Sequence, residues 1–183
     1  IVIFYLSEFI KAAKFDQIDL GNVIMFSVCF IGSVLFSFII PKTGSKSMMI
    51  IGFTGMSLSF AVAYGLTYFE NMSIPTIIFL SLYLFWFQCG PGPKPWSVFN
   101  ETFQPEYQAA AQGYLTLNNW TTNFLITAFF PFALESLKIH SVCLFAIINI
   151  IFAIVLAALM IETKGKSYEA IIEDYKNKFA IFY

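Results

Sequence analysis

The segment Phe87-Gln88-Cys89-Gly90-Pro91-Gly92-Pro93-Lys94-Pro95-Trp96 lies inside an apolar stretch covering about residues 75–99. Three prolines and two glycines within seven residues forbid one unbroken helix, because each proline lacks an N–H donor and clashes with the carbonyl a turn earlier. In lipid, the freed backbone groups have no water to bond. Irregular backbone at membrane depth therefore survives only where protein buries it or where it lines a cavity. Interrupted helices of this kind mark binding sites in transporters. Gln88, Lys94 and Trp96, beside the interruption, supply the polar and stacking groups that such a cavity needs.

The rest of the chain suits a bilayer. Of 183 residues, 58% are hydrophobic, 19% aromatic and only 11% charged, against about 25% charged in an average soluble domain. A net charge of −1 gives no reason to expect nucleic acid as a partner. Every basic residue is a lysine. Cys29, Cys89 and Cys143 all fall in apolar spans and read as small buried side chains, not as a disulfide framework or a metal site. No metal spacing, nucleophile–base set or phosphate loop points to an enzyme or to a cofactor. The chain opens in mid-hydrophobic run without a charged leader. Residues 1–6 are far short of the roughly 20 residues needed to cross a bilayer, so the expectation is a fragment that begins partway through a helix.

In order, residues 1–10 read as the tail of a first helix, followed by a polar stretch to residue 19. Further spans cover about residues 20–40, 48–68, the interrupted 75–99, 113–134 and 140–161, with polar connections at 41–46, 70–73 and 100–108. The pattern is an all-α, multi-pass bundle: a transmembrane domain over 1–161 and an amphipathic tail over 162–183. Lysines on short connections set the orientation. Lys42, Lys46, Lys164, Lys166, Lys176 and Lys178 fall on one side, and Lys11, Lys14 and Lys138 on the other. The tail and the connections at 41–46 and 100–108 are therefore expected in the cytoplasm. The sequon Asn71-Met72-Ser73 then lies outside, in a position to accept a glycan. Asn100-Glu101-Thr102 and Asn119-Trp120-Thr121 read as chance matches.

Several of these stretches also carry a family resemblance. Gly90-Pro91-Gly92-Pro93-Lys94-Pro95-Trp96 resembles the GPGPIPW motif in the tenth helix of sugar porters, the sugar-transporter branch of the major facilitator superfamily. Asn119-Trp120-Thr121-Thr122-Asn123-Phe124 matches the eleventh-helix NWxxNF pattern in full. Glu162-Thr163-Lys164-Gly165 matches the PETKG tail motif, with Ile161 in place of its proline. Lys42-Thr43-Gly44-Ser45-Lys46 is similar to the cytoplasmic D-R-x-G-R-R signature in eroded form, with Pro41 for the acid and Ser45 for an arginine. Glu101-Thr102-Phe103 and Pro105-Glu106-Tyr107-Gln108 resemble the E-x-F…P-x-x-R loop, with Gln108 for its arginine. Phe4-Tyr5-Leu6-Ser7 looks like the tyrosine-bearing end of the seventh helix. The resemblance covers essentially the whole chain. It implies the C-terminal six-helix half of a twelve-helix carrier that moves a small sugar, most often a hexose, across a membrane, the plasma membrane foremost. The partners so implied are the sugar, membrane lipid and the missing N-terminal half.

A hexose needs several hydrogen-bonding groups and a flat apolar surface. Side-chain amides offer two donors and an acceptor each, which Gln88, Asn119 and Asn123 can supply; Trp96 and Phe87 can lie against the pyranose ring. By resemblance, Gln88 stands where many sugar porters carry a sugar-contacting glutamate, Trp96 where they carry the binding tryptophan, and Asn119 on a site asparagine. Tyr5 is a further candidate, as a gate or sugar-site residue, and each residue also has a plainer reading: Trp96 as an interfacial anchor, the amides as bonds between helices, Tyr5 as packing. Gly90, Pro91, Gly92, Pro93 and Pro95 are the helix break itself and the expected gating point.

Other positions depart from the pattern. Ile1 falls on a sugar-binding asparagine and Cys29 on a polar site residue. Lys94 replaces an isoleucine; an ionisable group at membrane depth is a functional candidate by default, with snorkelling or pairing towards Glu101 as the alternative. Of the acid–base latch that closes the cytoplasmic side in the family, Lys42, Lys46, Glu101, Glu162 and Lys164 remain. Lysine pairs are less directional than arginine pairs, so a weaker latch is expected. A non-transporting membrane sensor, a degenerate half-transporter and a carrier of another solute, an anion drawn by Lys94 among them, remain as alternatives.

Overall fold

A computed structural model describes residues 5–13, 15, 17–137 and 140–180. Ile1, Phe4, Lys14 and Lys138, used above for motif register and charge counting, lie outside them. The described residues form α1 (Leu6–Ala12), α2 (Ile18–Ile39), α3 (Ser45–Leu66), α4 (Ser73–Cys89), α5 (Lys94–Thr102), α6 (Pro105–Leu137), α7 (His140–Leu159) and α8 (Tyr168–Phe179). Among them, four segments are long and apolar enough to cross a membrane: Ile18–Lys42, Ser45–Leu66, Ser73–Thr102 and His140–Leu159. The α6 helix falls outside that set although its 33 residues make it the longest; Asn118, Asn119, Asn123 and several threonines occupy its middle. At 1.5 Å per residue it extends about 50 Å, well beyond the ~30 Å hydrocarbon core.

The helix ends follow from local chemistry. A single 3-10 turn over Ile40–Lys42 closes α2, with Pro41 near its start, where a missing N–H is harmless. Pro75 sits in the first turn of α4, where no intrahelical acceptor is lost. The connection expected over 100–108 shrinks to Phe103 and Gln104. Pro105 opens α6, Glu106 complements its positive end, and Ala109, Ala110 and Ala111 are strong helix formers.

The interruption falls at residues 90–93, between α4 and α5. Pro91 has no N–H to give Phe87 O, and Gly92 N–H takes that carbonyl instead at 2.9 Å. Lys94 N–H then bonds Gly90 O at 2.9 Å, restarting the helix. The break is packed on α3. A Cβ at Gly90 would stand 2.5 Å from Met48 O, and one at Gly52 would stand 2.2 Å from Pro91 Cδ. The buried face of α3 includes Ser45, Gly52, Gly55, Ser59 and Ala63, a small-residue stripe that lets the broken helix come this close.

Two apolar clusters complete the interior. The larger joins Phe9, Ile10, Met25, Phe60, Leu80, Leu84 and Phe130. The smaller puts Phe36, Met48 and Cys89 under the break. Phe26, Phe30 and Phe38 of α2 and Ile147, Ile151 and Ile154 of α7 are exposed, as side chains facing lipid should be. Helix ends sort into two groups. Residues 43–46, 100–105 and 160–167 meet at one end, where Ser45 and Lys46 bond Glu162 and Thr163 bonds Glu101. At the other end Tyr64 bonds His140.

Gly90→Ala should destabilise the protein by the ~1–3 kcal/mol of an overpacked site. Gly65→Ala, whose Cβ meets nothing within 4 Å, should be neutral or slightly stabilising through helix propensity. Thermal unfolding midpoints in detergent will separate the two.

Candidate functional site

Gln88 is half-buried in the last turn of α4, and its Nε2 points to Cys29 Sγ of α2 at 3.1 Å. Phe87, half-buried beside it, lies under the break, with its ring edge 2.8 Å from where a Cβ of Gly92 would be. Trp96, in the first turn of α5, is 38% exposed. Its carbonyl accepts from Gln112 Nε2 at 3.0 Å. On α6, Asn123 Nδ2 donates to Asn119 O at 2.9 Å and to Asn119 Oδ1 at 3.3 Å. One turn of helix thus fixes both half-buried amides on a single face. Thr122 donates to Asn118 Oδ1 at 3.3 Å on the exposed side. The two groups stay separate: among the described residues no hydrogen bond joins Gln88 or the Trp96 ring to Asn119 or Asn123.

Tyr5 ties α1 to α6. Its hydroxyl donates to Thr127 O at 2.7 Å, and its ring lies 4.8 Å from that of Phe130. In this arrangement the side chain is held in packing.

The end carrying residues 43–46 holds a denser polar junction. Glu162 accepts from the first two N–H groups of α3, Ser45 at 2.7 Å and Lys46 at 3.2 Å, and from Lys164 N–H at 3.1 Å. A helix N-terminus carries partial positive charge and unbonded N–H groups, so a carboxylate there is doubly satisfied. A Cβ on Gly44 would fall 2.1 Å from Glu162 Oε2, so the carboxylate would have to shift to admit one. Glu101 accepts from the hydroxyl of Thr163, which is 1% exposed. Lys94 is 7% exposed, and its Nζ donates to Ser45 Oγ at 3.1 Å. It turns neither to the surface nor to Glu101. The ion pairs among the described residues are Lys11–Glu8 and Lys166–Asp174. The latch residues Glu101 and Glu162 are thus gripped by a hydroxyl and by backbone N–H groups, while Lys42, Lys46 and Lys164 form no ion pair with them.

Two contacts that join α5 to α6 were not foreseen from the motifs. Gln108 caps the end of α5 by donating to Asn100 O at 2.9 Å and Phe103 O at 3.3 Å. Gln112, one turn on, adds a bond to Asn100 Oδ1 at 2.7 Å. Their i,i+4 spacing was the available signal. Ser45 and Thr163 were visible only as motif filler.

A broken transmembrane helix packed on a small-residue stripe, with side-chain amides on a neighbouring helix, defines a polytopic helical membrane protein. The fold matches the inward-open conformation of the xylose transporter XylE from E. coli with a TM-score of 0.76 at 21% identity, over 94% of this chain and 40% of that one. Residues 1–175 match the family model described as sugar (and other) transporter, and the chain belongs to that family. It is 31% identical over 150 residues to solute carrier family 2, facilitated glucose transporter member 3, of Rattus norvegicus, across 80% of this chain and 30% of the relative. It is 27% identical over 181 residues to facilitated glucose transporter member 2 of Sus scrofa, across 97% of this chain and 34% of the relative. The chain therefore spans about a third of the length of these curated relatives.

Thr163→Val keeps the shape and removes the donor to a carboxylate. Hydrogen bonds to charged groups contribute about 1.5–3 kcal/mol, so the purified protein should unfold at a lower temperature, with Thr163→Ser restoring most of the loss.

Proposed function

We propose that the full-length protein carries a small sugar, a hexose in first place, across a membrane by alternating access, and that this chain is the C-terminal half of the carrier. The observation that carries this reading is the interrupted α4–α5 segment. Its backbone is satisfied within the break, Gly92 N–H on Phe87 O and Lys94 N–H on Gly90 O, so Gln88, Phe87 and Trp96 beside it are not needed to satisfy it. Family membership over residues 1–175 supports it, as do two relatives named as glucose transporters.

In this reading Gln88, Asn119 and Asn123 bond the sugar hydroxyls. Trp96 and Phe87 lie against the ring, and Tyr5 holds α1 beside the site. Gly90, Pro91, Gly92, Pro93 and Pro95 let α5 tilt against α4. The missing N-terminal half covers the exposed face of α6 that carries Asn118, Thr121 and Thr122. The end bearing Lys42, Lys46, Glu101, Glu162 and Lys164 faces the cytoplasm, with the tail from residue 162, and the membrane is the plasma membrane. Burial of Lys94 on Ser45 argues against an anion carrier, because its charge is not offered at the break beside Gln88.

The test is uptake of radiolabelled hexose by the full-length chain in cells or liposomes. Trp96→Ala and Gln88→Ala should each cut uptake by about tenfold or more at unchanged surface level, the cost of a lost stacking surface or of a lost hydrogen-bonding pair to substrate. Uptake at background in the unmodified protein and in both variants would reject transport, leaving the membrane sensor or the relic.

A further inference from the structure

Lys94 is the buried charge that the sugar site does not use. It sits four residues past the start of the break, 7% exposed, on Ser45 Oγ. Ser45 opens α3, and its own N–H is held by Glu162. A buried cation beside a helix N-terminus is doubly disfavoured, by desolvation and by the positive end of the helix dipole. Among the described residues no carboxylate pairs with it directly. The nearest negative group linked to it is Glu162, one residue's hydrogen bonds away across Ser45. Glu162 stays in place without Lys94, since three backbone N–H groups hold it.

We infer that Lys94 is the positioning residue of the inner closure: through Ser45 it ties the helix break to the end of α3 that the tail grips with Glu162, and it holds only while Glu162 is charged and in place. This rests on the alternating-access reading above. Departure of the 160–167 segment leaves the Lys94 ammonium buried against a positive helix end, which expels it and frees α5 from α3. An apolar residue at 94, such as the isoleucine of the resembling motif, would sit in the same place without that penalty. The lysine thereby converts release of the tail into release of the break.

Cys29, in the middle of α2 and bonded to Gln88, reports opening without any sugar. The experiment takes the full-length protein with its other cysteines changed to serine. It measures alkylation of Cys29 by a membrane-impermeant maleimide applied from the face carrying residues 43–46. Glu162→Gln should speed labelling about threefold or more, and adding Lys94→Ile should bring the rate back to within about twofold of Lys94→Ile alone, a coupled cycle and not an additive one. Ser45→Ala leaves the Glu162 bonds to backbone intact and removes only the lysine's acceptor. It should speed labelling when Lys94 is present and have no effect in the Lys94→Ile background.

Equal effects of Glu162→Gln or Ser45→Ala with and without Lys94 would overturn the inference, as would unchanged rates throughout. If Glu162→Gln does not give a monodisperse protein, the Ser45→Ala pair decides. Because no sugar is used, failed hexose uptake would sink the transport reading and leave this cycle readable.

Discussion

The structure depends on the refusal of a hydrocarbon medium to hydrogen-bond a backbone. Three prolines remove donors from the middle of a membrane span, and every carbonyl so stranded must be met or shielded by protein. The chain answers in two ways. Gly92 reaches back to Phe87 O inside the break, and α3 presents glycines so that the irregular segment can press against it. The identity of α3 as a helix of small residues is therefore set by its neighbour. Packing of this kind, not exclusion of water, is what holds helices together in lipid.

The same logic explains the polar end. Carboxylates Glu101 and Glu162 are not met by the lysines nearest in sequence but by Thr163 and by the opening N–H groups of α3. A helix end is a fixed, directional donor, whereas a lysine on a solvated loop must be ordered to compete. The junction is thus held by backbone capture and a hydroxyl, with no side-chain ion pair to either carboxylate among the described residues.

Much of this was legible in the sequence. The break, the apolar spans and the amide-bearing helix announce themselves, because proline chemistry and hydropathy are local properties. The helical character of residues 105–108 was hidden by their polarity, although Pro105 and the three alanines after Glu106 marked a helix start. The direction of Lys94 was not legible at all: it depends on the register of α3 against the break, and that is set by Gly52 meeting Pro91 and Gly90 meeting Met48, about forty residues apart in sequence. The grip on Glu162 was equally hidden, since a motif read as charged residues does not say that backbone will hold them. Tyr5 read as gate or packing, and its bond to Thr127 O comes from the same kind of long-range meeting.

One local feature has mechanical weight. Gln108 and Gln112 rivet the end of α5 to the start of α6 through Asn100, Phe103 and the carbonyl of Trp96. The nine residues of α5 and the thirty-three of α6 are thereby joined into one body next to the proline-rich break. Tilting a rod of about 50 Å through roughly 10° sweeps its far tip by about 9 Å, so under the proposed gating at residues 90–93 a small change in backbone angles would be read out as a wide excursion on the opposite side of the bilayer.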